Sequence, residues 1–174
     1  MQIIIDTREQ TPYDFSGYQV EIISGTLTSG DYSLPGFTDL VAVERKELTD
    51  LLACLSYDRA RFTRELERLR GYHAAALVVE APYSTIASGR YRSKIDPDAA
   101  TQSLVSIMAN YRLPVFFAHS RADAEFFTFN FLRHFLRHAE QRYKAIEKQA
   151  KSEEKPATVE TAKNGGRKLK RRTV

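Results

Sequence analysis

Asp31, Glu44 and Lys46 are the side chains of this sequence whose types and spacing suit the hydrolysis of a phosphodiester. Leu40, Val41, Ala42 and Val43 read as a short buried strand. Because side chains alternate faces along a strand, Glu44 and Lys46 just beyond it project to the same side. Asp31 follows Gly30, which lets the backbone turn, and precedes residues that offer a second short strand as a partner. If the two strands pair, Asp31 and Glu44 converge beside one lysine. Carboxylates so placed hold Mg²⁺, which polarises a phosphate oxygen and generates hydroxide, while the ammonium steadies the nucleophile and the developing charge. The same acid-basic-basic triplet also fits the solvated end of an ordinary strand, so the triplet alone leaves both readings open.

The wider pattern is more specific. Gly30-Asp31, followed by Val43-Glu44-Arg45-Lys46 and then Asp50, resembles the GD…VERKxxxD signature of the XPF family of structure-specific endonucleases, a branch of the PD-(D/E)XK nucleases. Upstream, Ile3-Ile4-Ile5-Asp6-Thr7-Arg8-Glu9 resembles that family's opening strand and its DxRE element, and Ala76-Leu77-Val78-Val79-Glu80 sits where the family has another core strand ending in an acid. The resemblance covers roughly residues 1 to 136. It implies a restriction-endonuclease-like α/β domain, a central mixed sheet with helices on both sides. It also implies a Mg²⁺-dependent endonuclease, with Mn²⁺ able to substitute, that cuts DNA at branches, flaps or single-to-double-strand junctions in repair, recombination or replication.

On the same resemblance, Asp31 and Glu44 are the metal ligands, the Arg45 carbonyl completes the shell, Asp6 assists, and Lys46 positions the attacking water. Arg8, Glu9, Asp50 and Glu80 are supporting residues. For Asp6, a ligand role and a role holding Arg8 both remain open, and Glu80 either faces the metal pocket or caps the sheet edge. Eukaryotic members follow this domain with helix-hairpin-helix motifs, whereas a polar tail follows here. The rival reading is a non-catalytic DNA-binding or scaffold subunit of a nuclease complex; the intact set Asp6, Asp31, Glu44 and Lys46 argues against it.

These residues need a core to position them. At 174 residues with 43% hydrophobic content, the chain is long enough for one folded unit. Lone Cys54 forms no internal disulfide and falls in an apolar helix, which suits a reducing compartment. No secretory segment and no apolar run near the ~20 residues a bilayer requires is present. The expected location is therefore intracellular: cytoplasmic or nucleoid-associated, or nuclear in a eukaryote. Of the net charge of +4, the segment from Lys151 to Val174 supplies +5, with eight Lys and Arg against three Glu. The remainder is nearly neutral, so DNA contacts by the body must come from local clusters.

Along the chain, residues 2 to 5 read as a buried strand and Tyr18 to Ile23 as a second. Leu48, Leu51, Leu52 and Leu55 repeat at helical spacing, which leaves Asp50 on the other face. A second helix is expected to start at Asp58 as N-cap, with Phe62, Leu66 and Leu69 buried and Arg64, Glu65, Glu67, Arg68 and Arg70 forming a mixed solvated face. Arg59 and Arg61 fall in its first turn, where the helix dipole disfavours cations, which suggests phosphate binding.

Ala74 to Glu80 reads as a core strand, and the loop carrying Arg90, Tyr91, Arg92 and Lys94 combines charge with an aromatic ring, as single-strand or junction binders do. Asp96 and Pro97 start a helix expected to bury Leu104, Met108 and Tyr111, and Val115 to Phe117 reads as a strand. Ser120 starts a long helix with phenylalanines at 126, 127, 129, 131 and 135, more than one face can bury, which predicts a homodimer through this helix. The expected domain is residues 1–149, followed by a disordered basic tail over 150–174.

Overall fold

The isoleucines after Gln2 form β1 (Gln2–Asp6), which pairs in parallel with β2 (Glu21–Gly25). On its other edge β1 runs antiparallel to the short β3 (Tyr32–Ser33), which in turn pairs antiparallel with β4 (Val41–Glu47). Parallel to β4 lies β5 (Ala74–Glu80), and parallel to β5 lies β6 (Val115–Phe117). The result is a six-stranded mixed sheet of order β2-β1-β3-β4-β5-β6 in a computed structural model that describes residues 1–153.

Strand parity sorts the core into two layers. Ala42, Leu77 and Val79 face one side, where Leu51, Leu52 and Leu55 of α1 (Leu48–Leu55), Phe62, Leu66 and Leu69 of α2 (Arg59–Arg70), and Leu104 and Ile107 of α4 (Pro97–Tyr111) cover them. A short helix, α3 (Tyr83–Ala87), seats Ile86 in the same layer. Val41, Val43 and Val78 face the other side, against Tyr13, Phe15, Tyr32 and the Ala124, Phe129 and Leu132 stripe of α5 (Arg121–Glu153). Met1–Ala139 is thus an α/β domain with helices on both faces of its sheet, the architecture the sequence predicts. Residues from 140 form a separate unit. Its described part, to 153, is helical, with Tyr143 and Ile146 exposed. The remainder of the expected tail, residues 154–174, lies outside the described residues.

Several local expectations shift. The strand predicted at Tyr18 to Ile23 begins at Glu21, because Tyr18 turns inward to stack on Phe129 at 4.0 Å and its amide donates to the Phe15 carbonyl. In α4 the buried stripe is Ala100, Ser103, Leu104 and Ile107, which leaves Met108 39% exposed and Tyr111 half-buried. Asp96 caps α4 as predicted, accepting from the Asp98 and Ala99 amides. Asp58 stands at the N-cap of α2, but its carboxylate takes Arg61 at 3.0 Å instead of a backbone amide.

Gly30 carries the one turn on which the site depends. Its φ is +80°, and a Cβ there would lie 2.8 Å from the Ala42 Cβ and 3.2 Å from the Val43 carbonyl oxygen. Gly30→Ala is expected to lower the unfolding free energy by about 2–5 kcal/mol, combining left-handed backbone strain with overlap in a packed core. A denaturation midpoint equal to that of the wild type would show that this turn relaxes instead.

Candidate catalytic site at the end of β4

β4 carries its small and branched residues as far as Val43 and then presents polar groups while still inside the sheet. Register with β5 places Glu44 opposite Leu77 and Lys46 opposite Val79 on the α1–α2 side, and Arg45 opposite Val78 on the α5 side. Glu44 is 2% exposed and its carboxylate pairs directly with the Lys46 ammonium. The Lys46 ammonium lies 5.7 Å from the centre of the Phe62 ring and 4.0 Å from a Glu65 carboxylate oxygen. Asp31 straddles β3 and β4: its amide donates to the Val43 carbonyl at 2.8 Å, and its carboxylate accepts the Arg45 amide at 2.7 Å. Its own carbonyl accepts the Asp6 amide at 2.9 Å, which ties the end of β1 to the same point.

Electrostatics follow from this packing. Burial pushes the Asp31 carboxyl up to about 6, against the opposing pull of the Arg45 amide and the Lys46 charge. Burial also raises Glu44 well above the usual carboxylate range, and the negative charge of Asp31 adds to it, with Lys46 opposing. For Lys46, burial would favour the neutral amine, but the charges of Glu44 and Glu65 outweigh it and hold the ammonium more firmly than in water. Asp31, Glu44 and Glu65 thus all act on the single Lys46 ammonium. No three Asp, Glu, His or Cys side chains close into a metal cage among the described residues. Asp31 and Glu44, two hard carboxylates near enough to repel one another, nevertheless fit Mg²⁺, which keeps several of its waters and takes only one or two protein carboxylates.

Asp6 joins the site indirectly. Its two carboxylate oxygens take the Arg8 amide and guanidinium at 2.7–3.0 Å and the Leu27 amide at 2.6 Å. Burial favours its neutral form, but these bonds outweigh that and hold it below its ordinary value. Of the two roles left open by the sequence, the geometry displays the one that anchors Arg8. Arg8 lines an open cavity of about 610 Å³ with Asp31, Lys46, exposed Asp50 and Arg61.

Glu9, which also lines this cavity, and Glu80 both hold Arg45. Glu80 grips the Arg45 guanidinium with both oxygens, through Nε and Nη2 at 2.8 and 2.9 Å; Glu47 shares Nη2 at 2.8 Å, and Glu9 takes Nη1 at 3.3 Å. Glu80 thus fixes, through Arg45, the strand whose backbone amide holds Asp31.

Arg59 points away from this cavity toward the Ser103 hydroxyl of α4, at 3.5 Å. Arg90 donates to the Ser88 hydroxyl, while Arg92 and Lys94 stay exposed. Tyr91 departs from the expected free stacking ring, since it is half-buried and its hydroxyl donates to the Ile95 carbonyl. Two contributors escaped the sequence reading. The charged neighbours of Glu65 put it on the expected solvated face, although its spacing of three from Phe62 sets it beside the buried stripe, and it lies 4.0 Å from the Lys46 ammonium. Arg121 donates to Glu80 and to the Thr11 and Pro12 carbonyls and sits 4.8 Å over the Tyr13 ring, contacts with no local signal.

A family model described as the ERCC4 domain matches residues 5–131. Among solved structures the chain is similar to XPF from Aeropyrum pernix, at 22% identity and a TM-score of 0.63, covering 76% of this chain and 60% of that one. It is likewise similar to XPF from Aeropyrum pernix in complex with DNA, at 21% identity and a TM-score of 0.62, covering 78% of this chain and 65% of that one. The chain thus spans less than two thirds of the length of these structures. No curated protein matches it.

Proposed function

The chain belongs to the ERCC4 domain family, and from that premise we propose that it is a metal-dependent DNA endonuclease acting at branched, flapped or single-to-double-strand structures. The observation that carries this reading is the convergence of Asp31 and Glu44 with Lys46 at one end of β4. Mg²⁺, or Mn²⁺ in its place, would be held by Asp31 and Glu44 with the Arg45 carbonyl, and when bound it supplies Lewis acidity and a hydroxide nucleophile at neutral pH. Lys46, held between Glu44 and Glu65, donates hydrogen bonds to the attacking water and to the phosphate oxygen that gains charge. Arg8 and Arg61, on the walls of the same cavity, receive the DNA phosphates. The Arg45–Glu80 pair fixes β4 from behind.

The test is nicking of a fork, a flap and a fully paired duplex with Mg²⁺ and with EDTA. Mg²⁺-dependent cleavage of the fork or flap is expected. Binding without cleavage at any divalent ion would instead favour the non-catalytic subunit.

Dimerisation is the second part of the proposal. Phe126 is 58% exposed, and Phe127, Phe131 and Phe135 line an open apolar groove with His73. Packing elsewhere takes up part of the excess: Phe129 is buried under Tyr18, Phe127 stacks on Phe116 at 4.1 Å and Phe135 meets Phe37 edge-on. Covering the remaining faces from two chains, at ~25 cal/mol per Å², contributes several kcal/mol before association costs, enough for a dimer near micromolar concentration. Sedimentation is expected to show a species of twice 19.9 kDa. A 19.9 kDa species at every concentration up to ~100 μM would remove the homodimer.

A further inference from the structure

Tyr57 stands on a ridge between two cavities. It lies in the turn after α1, is 85% exposed, and with Ala53 lines both the catalytic cavity and a neighbouring groove of about 720 Å³. The two cavities differ in chemistry. Acids and bases share the catalytic one, whereas the groove has an apolar floor that includes Leu48, Leu52 and Ile95, a rim carrying Arg59, Arg92 and Lys94, and no acid among its lining residues. We propose that this groove receives the unpaired strand of the DNA substrate, with Tyr57 stacking on the first unpaired base where duplex gives way to single strand.

This inference rests on the endonuclease reading and names how such an enzyme tells a junction from a duplex. A paired duplex has no base face to offer an apolar floor, since its bases are stacked on one another. An unpaired base does have one, and its phosphates find three cations along the rim. An acidic peptide would match the same charges and floor. The groove, however, shares Ala53 and Tyr57 with the catalytic cavity, so a strand running from the cleavage position into it would cross that ridge. Tyr57 suits the junction because a tyrosine ring offers a rigid flat face at low entropic cost, and among the described residues this ring is left exposed.

The experiment uses the full chain in EDTA, so that binding is read without cleavage. The probes are a fork carrying 2-aminopurine at its first unpaired position and a blunt duplex of the same paired sequence. Tyr57→Ala is expected to weaken fork binding ~10-fold, as loss of one stacked base does, and to change duplex binding less than twofold. It is also expected to abolish the change in 2-aminopurine emission seen with the wild type. Tyr57→Phe keeps the ring and should restore both. An equal loss on fork and duplex, or an unchanged fork affinity, overturns the proposal. If the wild type nicks the fork with Mg²⁺ while Tyr57→Ala binds it unchanged, the junction role falls and the endonuclease reading stands. A wild type that neither binds nor nicks the fork sinks both.

Discussion

Asp31→Ala and Glu44→Ala are each expected to lower Mg²⁺-dependent nicking by at least ~10³-fold, because each removes one of two carboxylates that would hold the ion, and with it the charge stabilisation of the transition state. Glu44 is buried and paired with Lys46, so circular dichroism and the unfolding transition are used to establish that each variant is folded at the assay temperature. Asp31→Asn sharpens the test, since an amide oxygen still accepts from the Arg45 amide while the charge is gone.

The pH dependence has a definite sign. Burial pushes the folded-state value of Asp31 up to about 6 from 3.8, so in the absence of metal its ionisation opposes folding as pH rises through that interval. Asp31→Asn is therefore expected to be more stable than the metal-free wild type at pH 8, with the gap closing as pH falls toward 4. Mg²⁺ should raise the wild-type midpoint at pH 8 and leave the variant unmoved. Near wild-type nicking by either alanine variant at saturating Mg²⁺, or an equal Mg²⁺ shift in wild type and Asp31→Asn, would remove these carboxylates from the metal site.

Lys46→Ala is expected to reduce turnover by roughly 10²–10³-fold while DNA affinity changes only a few-fold, because the ammonium acts on charge that develops in the transition state. Its position supports that split: it is enclosed by Glu44, Glu65 and the Phe62 ring, not extended into solvent where it would meet DNA early. Truncation leaves Glu44 buried without its counter-charge, so rates are compared well below the variant's own unfolding temperature. Single-turnover cleavage and fluorescence anisotropy separate the two quantities. Equal losses in rate and affinity would recast Lys46 as a phosphate clamp.

How far the sequence reaches can be read residue by residue. Alternation along Val41–Lys46 puts Glu44 and Lys46 on one face before any tertiary contact is known, and Gly30 marks the turn that delivers Asp31. Helical periodicity finds the Leu51, Leu52 and Leu55 stripe, and the Asp96-Pro97 pair starts α4. All of these are set by backbone geometry over a few residues. Partner choice is different. Arg45 finds Glu80 and Glu9 at separations of 35 and 36 residues, and Arg121 reaches Thr11 across 110. The bonds of Asp6 to Arg8 and Leu27, the latter 21 residues away, likewise come from tertiary placement.

Glu65 looked like one more surface acid because its neighbours on α2 are charged, and only the docking of that helix brings it to Lys46. Similarly, the phenylalanines of α5 exceed one helical face, but Tyr18, Phe37 and Phe116, from three other parts of the chain, decide which of them stay exposed. By itself the sequence determined the strand parity, the turn and the apolar stripes, because these depend on near neighbours. Tertiary structure decided which charges meet and which rings are covered, because burial and Coulomb energy depend on distances that the strand register and helix docking impose.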